Sequence, residues 1–226
     1  MGAVLEMTVA TRLATVLIPL AAVAACGSLD TTRTSVAGQL VTSLFSSAPQ
    51  AAAPLTRAGF TPADLRTNPD GFQLLTVDSM GLGEPARLIA SANGRQTWEG
   101  ESGFTATYQD GILATTHGLI FDLISADGSA TRAAMRAGGG DTARSIEVMD
   151  SQDQLTRIDF ACTVTDGGPE AVNLGTREVT ARRFTESCRS PLLVIENRFW
   201  LDGSGGIIAS LQYVSPTVAY LRSNRL

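Results

Sequence analysis

Apolar and polar residues alternate with a period of two over much of the chain after residue 71. Phe104, Ala106 and Tyr108 form one alternating set, and Ile112 with Ala114 begins another. Successive side chains of a β-strand point to opposite faces of its sheet, so this period predicts strands with one buried face. The pattern therefore predicts a mainly β fold.

Short turn signals separate these alternating segments. Asn93-Gly94 and Asp110-Gly111 are residue pairs that hairpin turns favour, because both central positions take positive φ. The first pair should join strands over residues 87–92 and 95–99, and the second should join the two sets just described. Strands joined this tightly run antiparallel, so the sheet is expected to be an antiparallel meander.

Alternation continues in the second half of the chain, where Ile158, Phe160, Cys162 and Val164 share one face. Gly167-Gly168-Pro169 should form a loop, because glycine and proline interrupt strands. Further strands are predicted over residues 157–164, 178–188, 192–201 and 206–214, the last two joined by a turn over residues 202–205.

Helical spacing occurs only near the start of the chain. Apolar residues three and four positions apart predict a helix over residues 34–46, which Pro49 and Pro54 end. Thr61 followed by Pro62 supplies the N-cap and the first-turn residue of a shorter helix. One or two short N-terminal helices are therefore expected before the sheet.

The first 25 residues have the pattern of a signal peptide. Arg12 precedes an apolar run over residues 13–25, which is shorter than the roughly 20 residues that span a bilayer. Glu6 is unusual in such a segment, and translation from Met7 would remove it. We therefore expect residues 1–25 to be absent from the mature protein.

Val23-Ala24-Ala25-Cys26 resembles a bacterial lipobox, in which the cysteine thiol receives diacylglycerol and the chain is cut just before it. Cys26 would then begin a lipidated tether over residues 26–35, followed by a single β-rich domain over residues 36–226. Two or three acyl chains, palmitate among them, anchor a protein durably. The alternative is an ordinary secreted protein with a chance cysteine at the cut.

Net charge and the choice of basic residues limit the classes of partner that the chain is expected to bind. The formal charge is −5 and the pI about 4.9, which does not favour nucleic acid. All 17 basic residues are arginine. This bias could mark recognition of carboxylate or phosphate, but the scattered positions favour codon bias in a GC-rich genome.

Three cysteines leave one without an intramolecular partner. With Cys26 lipidated, Cys162 and Cys188 remain as a pair, and an exported chain matures where disulfides form. The alternative is two buried free thiols. A metal site is not expected, because the chain has no CxxC motif and no histidine cluster.

No catalytic constellation is evident. His117 is the only histidine, and no serine has the G-x-S-x-G context of a hydrolase nucleophile. The glycines at 138–140 lack the P-loop and dinucleotide-binding signatures and are interpreted as a flexible turn. We therefore expect no catalytic residues, no metal and no cofactor.

Several blocks taken together resemble one known family. Residues 87–94 (RLIASANG) and 108–119 (YQDGILATTHGL) with Asp122-Leu123 resemble the S-A-D/N-G, D-G-R-L, T-x-G-L and D-L run of the YjbF/GfcB family. Residues 196–202 (ENRFWLD) and 206–216 (GIIASLQYVSP) resemble its N-x-Y-W-V-D and G-x-I-x-x-S-x-Q-x-x-x-P ending. Phe199 departs from the more usual tyrosine, and His117 falls within the T-x-G-L step.

The resemblance implies an outer-membrane lipoprotein linked to exopolysaccharide and group 4 capsule production. It implies a sheet curled as a partly open barrel, with a sandwich as the alternative. It also implies genes for polysaccharide export nearby, including an outer-membrane β-barrel as a partner. Gly27 follows the lipidated cysteine where an aspartate retains many enteric lipoproteins in the inner membrane, which also favours the outer membrane with the domain in the periplasm.

Phe199 and Trp200 point to opposite faces of their predicted strand. Core packing is the favoured role for both, and contact of one of them with glycan or a partner protein is the alternative. The expected function is a non-enzymatic accessory role in polysaccharide assembly or export. A periplasmic glycan-binding module and a polysaccharide-modifying enzyme are the rivals.

Overall fold

The computed structural model describes residues 62–149, 152 and 154–226. The chain divides into two units, Met1–Pro54 and Leu55–Leu226, and every described residue belongs to the second. The predicted signal peptide, the lipidation site Cys26, the tether and the helix over residues 34–46 lie outside the described residues. In the described part of the chain, no helix has the length and apolar character needed to cross a membrane.

The described unit is built mainly from twelve antiparallel strands and two short α-helices. The helices are α1 (Pro62–Thr67) and α2 (Ser129–Ala137), and short 3₁₀ turns cover Pro69–Gly71 and Asp78–Met80. The strands are β1 (Phe72–Val77), β2 (Leu82–Ala92), β3 (Arg95–Gly100), β4 (Thr105–Gln109), β5 (Ile112–His117), β6 (Leu123–Asp127), β7 (Gly139–Met149), β8 (Leu155–Asn173), β9 (Glu178–Arg189), β10 (Val194–Leu201), β11 (Ile207–Tyr213) and β12 (Tyr220–Arg225).

Strands that follow one another in the chain pair with each other, except β5 and β6. β1 also pairs with β12, so the meander curls back on itself, while β5 and β6 form the two edges of the sheet. The result is a barrel that is nearly closed, with an unsealed seam between β5 and β6. The expectation of a partly open barrel is confirmed.

Side chains bridge part of this seam. The Asp122 carboxylate accepts hydrogen bonds from the Thr116 hydroxyl at 2.8 Å and from the Gly118 amide at 2.9 Å. The Thr116 hydroxyl oxygen accepts a bond from the Leu123 amide at 2.9 Å. These bonds partly replace the missing ladder, because an unpaired edge leaves backbone groups unsatisfied.

The two tight hairpins are confirmed. Asn93-Gly94 joins β2 to β3 and Asp110-Gly111 joins β4 to β5, and all four residues have positive φ. The turn between β10 and β11 also falls where it was predicted. Local turn chemistry decided these positions, because few residue types adopt positive φ without strain.

Two predictions about glycine-containing segments were wrong. Gly167-Gly168-Pro169 is not a loop: β8 continues through it with a bulge between Asp166 and Gly168 and stays paired with β9. The glycines at 138–140 are not simply a flexible turn. Gly138, at φ 89°, caps the end of α2, and Gly139 begins β7.

The helix α2 also contradicts the expectation that helices occur only near the start. Its buried side chains are Thr131, Ala134 and Met135, at the spacing of one helical face. Ala134 and Met135 pack inside the barrel with apolar residues of five strands: Ile112, Val164, Phe184, Phe199, Leu201 and Ile207. A nine-residue helix with so few apolar positions gives only a weak sequence signal.

Beyond its pairing with β7 and β10, the β8–β9 hairpin continues as an arm over residues 166–181. The arm contributes Val172, Leu174 and Ala181 to a hydrophobic cluster with Trp200 and Ala209. Since Phe199 faces the barrel interior, its neighbour Trp200 faces outward. The arm therefore covers part of the outer face of the barrel.

Candidate functional site

The strongest candidate for a ligand site is a cavity of about 600 Å³ lined by α2, β9 and the turn between β10 and β11. We call it the arginine groove. Its basic residues are Arg132, Arg136 and Arg182, and its apolar lining includes Met135 and Phe184. Arg132 and Arg136 are four positions apart, so they lie on the same flank of α2, beside the face that packs into the barrel.

Arg132 is held in place but only partly bonded. Its Nη2 donates to the Gly205 carbonyl at 2.7 Å, which fixes the guanidinium against the β10–β11 turn. Its Nε and Nη1 groups are shielded from solvent and have no hydrogen-bond partner among the described residues. Shielded donors without partners are rare in folded proteins, so this guanidinium has unused capacity for an acceptor.

The positive charge of Arg132 and Arg136 on α2 is only partly compensated by nearby carboxylates. Burial lowers the pKa of Arg132, and the neighbouring Arg136 lowers it further, while Asp110 and Asp202 act in the opposite direction. Arg136 is exposed and has no hydrogen bond or ion pair within the described residues. Like charges four positions apart on a helix repel, and an anion between them would relieve that repulsion.

The β10–β11 turn supports the groove through Asp202. Its Oδ1 accepts bonds from the Ser204 hydroxyl at 2.6 Å and from the Ser204 and Gly206 amides at 2.9 Å each. These donors, the hydroxyl foremost, lower the pKa of Asp202, although partial burial opposes them. Gly205 has φ 79°. The turn therefore presents the carbonyl that positions Arg132.

Arg182 contributes charge that is already paired. Its guanidinium bonds to the Asp166 carboxylate, and this contact lowers the pKa of Asp166 and raises that of Arg182. The same guanidinium lies 5.8 Å from the centre of the Phe184 ring. Arg182 thus borders the groove, but Arg132 and Arg136 carry its available charge.

A second cavity of about 240 Å³ adjoins the groove. Arg132 lines both cavities, and the second also contains Arg225 and Asp110. Asp110 is engaged by the Gln109 side-chain amide at 3.4 Å. Arg132 therefore stands between two hollows, an arrangement that suits an extended ligand better than a compact one.

Phe199 and Trp200 are both buried, at 0% and 5% exposure. Phe199 packs inside the barrel, and Trp200 lies beneath the arm. The Trp200 indole donates to the Glu170 carboxylate at 3.2 Å, and the Arg222 guanidinium lies 5.4 Å from its ring centre. This geometry agrees with the core-packing interpretation and offers neither ring as a surface for glycan or a partner.

Cys162 and Cys188 face each other across β8 and β9 and are joined by a disulfide. The Glu186 carboxylate lies within 4.8 Å of both sulfurs. A bonded pair of sulfurs cannot act as thiolate ligands, so this cluster is not a candidate metal centre. His117, the lone histidine, is exposed at the end of β5.

Sequence reasoning missed a buried ionic cluster around Glu186, which is fully buried. Arg144 pairs with its carboxylate at 2.8 Å, the Asn197 amide donates to it at 2.7 Å, and the Thr131 hydroxyl also donates to it. Asn197 in turn accepts a bond from the Tyr213 amide at 2.7 Å. The cluster ties α2 to the strands of the barrel wall.

Polar residues of the C-terminal motif blocks have a related structural role. The Gln212 side chain accepts a bond from the Leu113 amide at 2.8 Å and donates to the Gly111 carbonyl at 3.2 Å. It also donates to the Ser210 hydroxyl, which bonds to Ser223 at 2.7 Å. These residues link β11 to the β4–β5 hairpin, so their place in the motif reflects folding rather than surface recognition.

Comparison with known proteins yields one family and one fold. The family model described as group 4 capsule polysaccharide lipoprotein gfcB, YjbF matches residues 34–226. The crystal structure of the hypothetical lipoprotein YmcC from Escherichia coli K12 resembles this one with a TM-score of 0.60 and 17% sequence identity, covering 74% of this chain and 97% of that chain. That likeness supports the fold alone. No curated protein matches the chain.

Proposed function

Because the chain belongs to the YjbF family of group 4 capsule polysaccharide lipoproteins, we propose that it is a non-enzymatic accessory factor in the assembly or export of a surface polysaccharide. The family match carries this proposal, since it spans nearly all of the chain beyond the predicted signal peptide. It also confirms the resemblance expected from the motif blocks.

The proposed location is the outer membrane, with the barrel domain in the periplasm. Support comes from the lipobox ending at Cys26, from Gly27 in the following position and from the family's description as lipoproteins. A lipid anchor would hold the domain at the membrane surface, where it could contact an outer-membrane β-barrel export protein. Cys26→Ala should release the protein from the membrane fraction, and an unchanged distribution would contradict the anchor.

Deletion of the gene tests the role itself. We expect less secreted or surface polysaccharide in the deletion strain, restored by the wild-type gene and restored poorly by Cys26→Ala at matched protein levels. Unchanged polysaccharide in a strain that normally makes it would contradict the proposal. Co-purification of the export barrel with the wild-type chain tests the partner.

A second candidate function is a periplasmic glycan-binding module, and the arginine groove favours it. Trp200→Ala distinguishes glycan binding in the arginine groove from glycan stacking on the Trp200 ring. Since Trp200 is buried beneath the arm, this variant should lose stability but keep whatever glycan affinity the folded chain has. The third candidate, a polysaccharide-modifying enzyme, would be supported only if the purified chain altered the length or substituents of the native polymer.

A further inference from the structure

We propose that the arginine groove binds a carboxylate-bearing sugar of an acidic polysaccharide, with Arg132 and Arg136 as its anion ligands. This inference rests on the proposed function for its biological context, but its physical basis is the groove itself. The central observation is a cavity lined by Arg132, whose Nε and Nη1 have no hydrogen-bond partner, and by the exposed Arg136, which has no ion pair among the described residues.

Arg132 has the geometry that a carboxylate requires. Its Nη2 is occupied by the Gly205 carbonyl, so the guanidinium is oriented before any ligand arrives. Nη2 keeps a second hydrogen beside one of its unpartnered neighbours, Nε or Nη1, so one two-donor edge that matches a carboxylate remains. Preorganisation of this kind lowers the entropic cost of binding.

Arg136 adds charge without competing for the same bonds. It lies one helical turn beyond Arg132, lines the same cavity and has no ion pair within the described part of the chain. Of the carboxylates nearby, Asp166 is paired with Arg182, while Asp110 and Asp202 offset part of the Arg132 charge without a hydrogen bond to it. An anionic ligand would therefore supply the ionic partner that Arg136 lacks among the described residues.

The lining favours a sugar over an inorganic anion. Met135, Phe184 and Leu201 border the groove together with the polar backbone of the β10–β11 turn. A sugar ring combines C–H surface with hydroxyl groups, so it can use both kinds of lining at once. The cavities on either side of Arg132 also fit successive units of a chain.

The test is calorimetric titration of the full chain, purified in detergent, with trigalacturonate as the acidic probe and maltotriose as the neutral one. We expect trigalacturonate to bind and maltotriose to bind at least tenfold more weakly. Higher salt should weaken the binding of trigalacturonate, because part of its affinity is electrostatic. Equal affinity for the two trisaccharides, or no binding of trigalacturonate, would overturn the proposal.

Two variants and one matched control locate the site. Arg132→Gln should lower the affinity for trigalacturonate at least tenfold, and Arg136→Gln should lower it several-fold, since charged hydrogen bonds are lost. Arg136 is exposed and makes no contact that folding requires, so its variant keeps the test valid if Arg132→Gln is unstable. Arg157→Gln removes an exposed arginine from the start of β8 and should bind like wild type. Unchanged affinity in both groove variants would exclude the groove.

Other anions and the proposed function are tested separately. Inorganic phosphate should compete only weakly, and competition as strong as that of trigalacturonate would contradict a sugar site. Loss of trisaccharide binding in the Arg132→Gln, Arg136→Gln double variant supports the inference even if the deletion strain exports normally. That combination would contradict the proposed accessory role and still support the binding site.

Discussion

Two arginines beside α2 show opposite uses of the same side chain. Arg144 lies inside the barrel, where it contacts Glu186 through two nitrogens and also the Thr131 hydroxyl. Arg132 lies at the groove, where one bond to Gly205 leaves two shielded groups unpartnered. A buried charge with a full set of partners holds a fold together. One with unused donors is positioned for a ligand.

The largest effect is expected inside the barrel. Glu186→Ala should lower the free energy of unfolding by about 3–5 kcal/mol, because it leaves the Arg144 charge buried without its partner. For a domain of this size that corresponds to roughly 10 °C in Tm, measured by circular dichroism. The Glu186→Leu, Arg144→Met pair should recover much of the loss. A Tm within about 2 °C of wild type for Glu186→Ala would contradict a structural role.

The disulfide beside this cluster gives the next effect. The Cys162→Ala, Cys188→Ala variant should lose about 3 kcal/mol, since the bond closes a loop with a sequence separation of 26. Urea unfolding of the oxidised wild type and the variant measures the difference. Reductant should lower the stability of the wild type toward that of the variant and leave the variant unchanged. Equal stability of the two proteins without reductant would contradict the expectation.

The groove arginines should matter little for stability. Arg132→Met should change the free energy of unfolding by less than about 1 kcal/mol, because the lost bond to Gly205 is offset by removal of two unsatisfied donors. Arg136→Gln should also change it by less than about 1 kcal/mol, because loss of like-charge repulsion is offset by loss of a cation from the last turn of α2. Chemical denaturation compares both with wild type. A loss as large as that of Glu186→Ala would remove the contrast between the two regions.

The smallest expected effect is the change in stability at low pH that depends on Asp202. The pKa of Asp202 is lowered in the folded protein, so its contribution is fully present above its ordinary value of 3.8 and is lost as pH falls through the lower folded value. Asp202→Asn should therefore cost stability at pH 7 and narrow the difference from wild type at pH 2–3. Tm measured across this range checks the sign, and a difference that grows in acid would contradict it.

Local chemistry made much of the fold predictable. Asn93-Gly94 and Asp110-Gly111 place two hairpins through their positive φ, and the strand parity of Cys162 and Cys188 fits their disulfide. These features depend on neighbouring residues or on simple alternation. The same holds for the opposite faces of Phe199 and Trp200, although only the structure shows the arm that covers the second ring.

The rest depends on contacts that alternation does not reveal. The partners of Glu186 lie 11, 42 and 55 residues away, so no local pattern marks the cluster. The arm was missed because its bulge contains two glycines and a proline, which usually end a strand, whereas pairing with β9 continues past them. Arg132 was hidden among scattered arginines, and only the turn at Gly205 singles it out.

The contrast between the two arginines is tested most directly by Tm with and without trigalacturonate, measured for wild type, Arg144→Gln and Arg132→Gln. A ligand that binds the folded state raises Tm with its concentration. We predict a ligand-dependent rise for wild type, a much smaller rise at the same concentration for Arg132→Gln with an unchanged starting Tm, and a lowered starting Tm for Arg144→Gln. A wild-type Tm that does not respond, or an Arg132→Gln Tm that falls as far as that of Arg144→Gln, would contradict the account.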